Sequence, residues 1–162
     1  MTTLAERVRI LEAKDAIRSC LSRYFDLCDV PGPFTDQNQL AELFTPRAIW
    51  EGLGEAYAGK FGRVTGRRKI AAHVASYLPP IEHFRRNVHL LTSEQLRTDG
   101  HTGQGQWLMQ QLSTYTDHRD EVMVARLTVD FELASGSALI SHFRTERLFT
   151  ADLTPPVEKE HR

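Results

Sequence analysis

Apolar residues recur at three-and-four spacing through the first thirty positions. Ile10, Ile17, Leu21, Tyr24 and Cys28 fall on one stripe, which predicts an amphipathic helix whose back half, Ala13–Asp29, organises the chain. Thr3 with Glu6 fits a capping box at its start, and Leu4, Val8 and Leu11 extend the apolar face. One long helix and two helices bent at Ala13-Lys14 are both open. Pro31-Gly32-Pro33 ends it. Asp26 points away from the stripe; Asp29 lies about 120° round, on the Phe25 side, at the helix end. A second short helix is expected over Asp36–Phe44, capped by Thr35, and a strand over Ala48–Glu51. Glu55–Gly66 reads as a hairpin or loop. A third helix follows over Arg67–Leu78 with Ile70, Val74 and Leu78 on one face, stopped by Pro79-Pro80.

From His83 the period changes from helical to two. Four strands are expected, near 84–97, 103–116, 121–134 and 138–149. The third alternates most regularly: Met123, Ala125, Leu127, Val129, Phe131 and Leu133 against Arg126, Thr128, Asp130 and Glu132. Asp99-Gly100 and Ser135-Gly136-Ser137 are turns, and the glycine-bearing stretch 100–105 reads as a turn rather than a phosphate loop, since no helix follows it. Three helices followed by a long-stranded antiparallel meander predict an α+β fold. The strands are long enough to demand strong curvature, and a helix across the concave face of such a sheet encloses a pocket. The expected domain spans 1–153, with a polar tail over 154–162.

The totals narrow the partners. The chain has 162 residues, 41% apolar and 25% charged, with a formal charge of −1. This is an ordinary globular balance that lends no support to a nucleic-acid partner. No apolar run reaches membrane-spanning length and the N-terminus carries no apolar signal core, so no membrane partner is expected and the cytoplasm is the default location. Cys20 and Cys28 stand two helical turns apart, about 12 Å along the axis, too far for a disulfide. The seven histidines show no metal-ligand spacing, so no metal site is predicted.

The order of elements, the Tyr24-to-Asp29 spacing, the stretch LAELFTPRAIWEG, Gly66 before the third helix, and NVHLLTS opening the meander resemble the SnoaL-like branch of the nuclear transport factor 2-like superfamily. The resemblance covers about Leu11 to Phe149. It implies a cone-shaped α+β barrel, a scaffold that hosts dehydratases, isomerases, cyclases, dehydrochlorinases and non-catalytic subunits. It implies a homodimer or homotrimer. In its dehydratase and dehydrochlorinase members a Tyr or Lys on the first helix, an Asp five residues later and a His on the first long meander strand do the chemistry; here these positions match Tyr24, Asp29 and His89. Ser93 stands where an Asn is usual, and Arg144 matches an Arg of the final strand.

These matches imply proton abstraction from a carbon acid without a cofactor, as in a dehydratase or isomerase acting on a cyclic or aromatic small molecule. His89 would be the base, Asp29 its orienting partner and Tyr24 a hydrogen-bond donor. Trp107, Met109, Gln111, Ser113 and Tyr115 share a strand face whose apolar, aromatic character suits a multi-ring or aromatic molecule; Trp107, Met109 and Gln111, with Ser93 and Arg144, would supply substrate contacts. Neither Asp29 nor His89 is expected to fill the core. Plainer readings stand beside these: Tyr24 as a core aromatic, Asp29 as a helix-end residue, His89 as a satisfied strand histidine, and the Trp107 face as core packing. Two other functions fit the same scaffold, a binding protein without chemistry and a structural small subunit of a ring-hydroxylating dioxygenase. An Asp29 in solvent, or far from His89, would favour either.

Overall fold

The structure, a computed structural model, describes residues 2–59 and 62–155. It contains α1 (Leu4–Cys28), α2 (Gln37–Ala41), β1 (Phe44–Leu53), a 3-10 turn (Glu55–Tyr57), β2 (Arg63–Thr65), α3 (Arg67–Ala75), β3 (Phe84–Thr98), β4 (Thr102–Tyr115), β5 (Asp120–Ala134) and β6 (Ser137–Asp152). The three helices pack on one six-stranded sheet of order β2-β1-β6-β5-β4-β3. This is an α+β cone fold whose sheet is not closed. The meander is antiparallel throughout, as its alternation requires, but β1 lies parallel to β6, so the whole sheet is mixed. The expected tail begins at Thr154, whose hydroxyl accepts from Asp120 N–H at 3.0 Å; residues 156–162, and Phe61 in the loop, lie outside the described residues.

α1 is one unbroken helix. Its capping box is formed: Glu6 N–H donates to Thr3 Oγ1, and Glu6 accepts from Thr3 N–H at 2.7 Å. Ile17, Leu21 and Tyr24 turn inward and are buried on the concave face. Each fully buried aliphatic of this kind contributes about 1.5–3 kcal/mol. The stripe does not continue to the N-terminus, because Leu4 is 74% and Leu11 64% exposed; the first turns overhang the sheet. α2 is shorter than expected and starts at Asp36, whose carboxylate accepts from Asn38 N–H at 2.7 Å while Gln39 reaches back. β1 absorbs Phe44 and Pro46. The missing Pro46 N–H costs no ladder bond, since the β1–β6 register is irregular between Phe44 and Ile49. Of the expected hairpin or loop over 55–66, Arg63–Thr65 form β2, which pairs antiparallel with β1.

Gly103 and Gly105, at the start of β4, make room for α1 and for an indole. A Cβ on Gly103 would meet Ile17 Cδ1 at 2.4 Å, and one on Gly105 would meet the Trp107 ring at 2.0 Å. Helix and indole therefore come down onto bare backbone. Gly103→Val is expected to destabilise the protein by about 1–3 kcal/mol, because Ile17 must leave its rotamer or α1 must lift. Thermal denaturation followed by circular dichroism checks this, and an unchanged midpoint would refute it. Cys20 and Cys28 are free thiols, and burial pushes both up to about 12. Among the described residues no helix is long and apolar enough to cross a membrane.

Candidate active site

The helix end places the first functional group. α1 stops at Cys28, and the Asp29 N–H still donates to Phe25 O at 2.9 Å while its backbone turns extended. Pro31 forbids another helical turn. Val30 then pairs with Asn87 of β3 through reciprocal backbone bonds, both 2.9 Å. That bridge sets Asp29 beside His89. Asp29 Oδ1 accepts from the His89 N–H at 3.1 Å and contacts His89 Nδ1 at 2.8 Å. A carboxylate partner assigns the proton to Nδ1, which leaves Nε2 as the basic nitrogen.

His89 is more enclosed than a solvated strand histidine. Its side chain is only 7% exposed, against 27% for Asp29, and its ring lies 4.9 Å from that of Phe25. The expectation that His89 fills no core volume is therefore corrected: the ring is part of the packing. It separates two spaces. On one side is a surface groove with Asp29 and Arg23; on the other is a cavity of about 610 Å³, the size that suits a drug-like small molecule.

That cavity has a dry end and a wet end. Along β5 its floor runs from fully buried Leu127 through Met123 to partly exposed Glu121. Tyr24, Phe25, Trp50 and Phe143 close the dry end, with Trp50 and Phe143 stacked at 5.8 Å. Tyr24 is 4% exposed, and its hydroxyl accepts from Trp50 Nε1–H at 3.2 Å and partners the Cys28 thiol. Burial, then the neighbouring Cys28, holds this phenol well above its usual range, so it remains a neutral donor.

A buried amide braces the dyad. Asn87, 3% exposed, donates from Nδ2 to Cys28 O at 3.3 Å, while its Oδ1 accepts from Gln111 Nε2 at 3.0 Å and Ser113 Oγ at 2.8 Å. One side chain thus ties the helix end to β4. Gln111, which pairs with His89 in register, spends its Nε2 hydrogens on Asn87 and Ser113 and keeps its carbonyl oxygen for the cavity.

Of the residues expected at the site, Tyr24, His89, Met109 and Gln111 line the cavity, and Asp29 sits behind His89. Three do not reach it. Ser93 lies exposed in a β-bulge between Thr92 and Gln95 with φ of 55°, so the inward phase of Asn87, His89 and Leu91 stops before it. Arg144 sits on the convex face with Asp130, because a bulge near Ser141 shifts the phase of β6 and turns Phe143 and Thr145 inward instead. Trp107 is buried beneath α1, donating from Nε1 to Glu94 at 3.3 Å, because the helix covers that row of the sheet. Residues unassigned from the pattern take their place: Phe143, His73, Tyr77, Glu121 and Arg147 also face the cavity. A periodic reading that allowed for one bulge in β6 would have found Phe143 and Arg147.

A family profile described as SnoaL-like domain matches residues 9–144. No curated protein matches the sequence. Solved structures are similar in fold. One is a hexachlorocyclohexane dehydrochlorinase, LinA-type3, from Novosphingobium barchaimii LL02, at TM-score 0.73 and 17% identity, covering 93% of this chain and 99% of that one. Another, from Novosphingobium aromaticivorans DSM 12444, is provisionally named a scytalone dehydratase; it has TM-score 0.75 and 16% identity over 96% of this chain and 99% of that one. A nuclear transport factor 2-like protein with a cystatin-like fold, from Novosphingobium aromaticivorans, has TM-score 0.71 and 20% identity over 90% and 88%.

Proposed function

This chain belongs to the SnoaL-like domain family, and from that premise we propose that it is a small-molecule enzyme, a dehydratase or isomerase that removes a proton from a carbon acid with its own side chains. The observation that carries the reading is the His89 Nδ1–Asp29 Oδ1 contact of 2.8 Å at the wall of an aromatic cavity. The fold neighbours named for dehydrochlorination and dehydration support the same class of chemistry.

In the proposed reaction His89 Nε2 accepts the proton from the carbon next to a substrate carbonyl. Asp29 stabilises the resulting imidazolium and keeps the basic nitrogen turned to the substrate. Tyr24 donates its hydroxyl hydrogen to the carbonyl oxygen as negative charge builds there, exchanging the weak thiol acceptor Cys28 for a better one. For dehydration the carbon–hydrogen electron pair becomes the new double bond, the neighbouring carbon–oxygen bond breaks, and the imidazolium returns its proton to the departing hydroxide as water. For isomerisation the same proton returns to a different carbon. Trp50, Met109 and Phe143 hold the apolar body of a ring substrate and exclude water, which strengthens each charge interaction inside.

Proton NMR in deuterium oxide tests this directly. Cyclic ketones bearing a β-hydroxyl are incubated with the protein, and deuterium entry next to the carbonyl is followed alongside loss of the hydroxyl. Enzyme-dependent exchange or water loss is expected. Ligands that bind without exchange or conversion would sink the catalytic reading and leave a binding protein.

A further inference from the structure

The wet end of the cavity carries charges that the proposed chemistry leaves unused. Two guanidinium groups line it, each laid on a tyrosine ring: Arg119 at 4.6 Å from the Tyr115 centroid and Arg147 at 5.3 Å from that of Tyr57. They differ in what else holds them. Arg119 is committed to Asp117, with Nε 2.8 Å from Oδ2. Among the described residues Arg147 forms no ion pair. Its ring support is built in: Tyr57 is buried against Gly52, where a Cβ would meet Tyr57 Cγ at 2.4 Å. Only glycine lets that ring lie flat enough to carry the arginine.

The sheet register says where a ligand would touch it. Arg147 pairs with Ala125 and His89 is two pairings from Met123, the next inward residue of β5. The two side chains are thus three strands and two residues apart, about 16 Å along the sheet, and less across its concave face. A molecule about two fused rings long reaches both. The one carboxylate among the described lining residues, Glu121, accepts from the Tyr115 hydroxyl at 3.0 Å, a phenol that the Arg147 charge also reaches, yet it makes no ion pair with Arg147. It disfavours an anion beside Tyr115 and leaves the Tyr57 side of Arg147 as the attractive one.

We propose that the substrate is a flat cyclic or aromatic molecule bearing a carboxylate, bound with its ring among the aromatics near His89 and its carboxylate on Arg147. The assignment deepens the reading of the cavity as a substrate site and rests on it. A guanidinium fork matches two carboxylate oxygens, and a partner already resting on a ring loses little freedom on binding.

Isothermal titration calorimetry with 2-naphthoate and its neutral isostere 2-naphthamide tests it, in wild type and in a His89→Ala background where turnover plays no part. The naphthoate is expected to bind about tenfold tighter than the amide in both proteins, as one charge-assisted bond supplies. Arg147→Met keeps an apolar stem over Tyr57 and should erase the preference while leaving naphthamide affinity unchanged; Arg119→Met should keep it. Equal affinities in wild type, binding of neither probe, or a preference that survives Arg147→Met or disappears with Arg119→Met would overturn the assignment. Failure of the catalytic reading shows elsewhere, as absent deuterium exchange with the charge preference intact.

Discussion

His89→Ala is expected to lower turnover by about two to four orders of magnitude, the usual contribution of a positioned general base. The imidazole is the lining group with a basic nitrogen and a charged partner behind it. Removing it takes away the base that Asp29 orients, and Asp29 cannot substitute because it lies behind the ring. The ring is also packed, at 7% exposure and 4.9 Å from Phe25, so the variant should lose about 1–3 kcal/mol of stability as well. His89→Gln separates the two effects: it fills most of the volume without a basic nitrogen, and should be nearly as inactive yet more stable. Asp29→Asn has a subtler signature. Its carbonyl oxygen can still accept the His89 N–H, but a neutral amide no longer stabilises the imidazolium and can turn its NH₂ toward Nδ1, selecting the wrong tautomer. Wild-type turnover in His89→Gln would remove the mechanism.

The second large effect is expected at a cavity-lining residue that takes no part in the proton transfer. Asn87→Ala should cost about 2–4 kcal/mol, read from urea denaturation, and should depress turnover at the same time. Asn87 satisfies Cys28 O, Gln111 Nε2 and Ser113 Oγ in a site that is 3% exposed. Gln111 and Ser113 keep each other at 3.1 Å, so the stranded groups are the helix-end carbonyl and the remaining donor hydrogens. A buried polar group left unsatisfied costs about 1–3 kcal/mol. The functional loss follows because the Asn87 side chain holds Cys28 O, the carbonyl next to Asp29, and only the backbone bridge to Val30 survives its removal. Such a positioning role predicts a signature that plain destabilisation lacks: in folded Asn87→Ala the His89 Nδ1–H signal broadens or disappears in proton NMR. A protected Nδ1–H and unchanged stability would mean that water replaces the amide.

Cys28 and Tyr24 illustrate how much of the site was legible before any fold was known. Their four-residue spacing put them on one helix face with Ile17 and Leu21, and the helix buries that face. The alternation of β5 likewise announced which residues form the floor, since a half-buried strand must repeat every two residues. Where the pattern misled, a local irregularity intervened. Arg144 and Ser93 each lie at or beyond a bulge, and a single added residue exchanges the inner and outer faces of everything that follows. Trp107 kept its predicted inward phase but is buried over Gly105 with its Nε1–H on Glu94, away from the cavity.

The sequence by itself determined three helices, a curved meander and an inward Tyr24. These depend on interactions between residues near each other along the chain: caps, turns, prolines and the periodicity of apolar side chains. Tertiary structure alone decided which inward residues face a cavity and which face a helix, because that choice depends on where α1 crosses the sheet. The crossing is set by contacts between distant residues, such as Ile17 on Gly103 and Val30 with Asn87. The same long-range bridge brings Asp29 to His89, sixty residues later in the chain, and turns a helix-end carboxylate into the partner of a base.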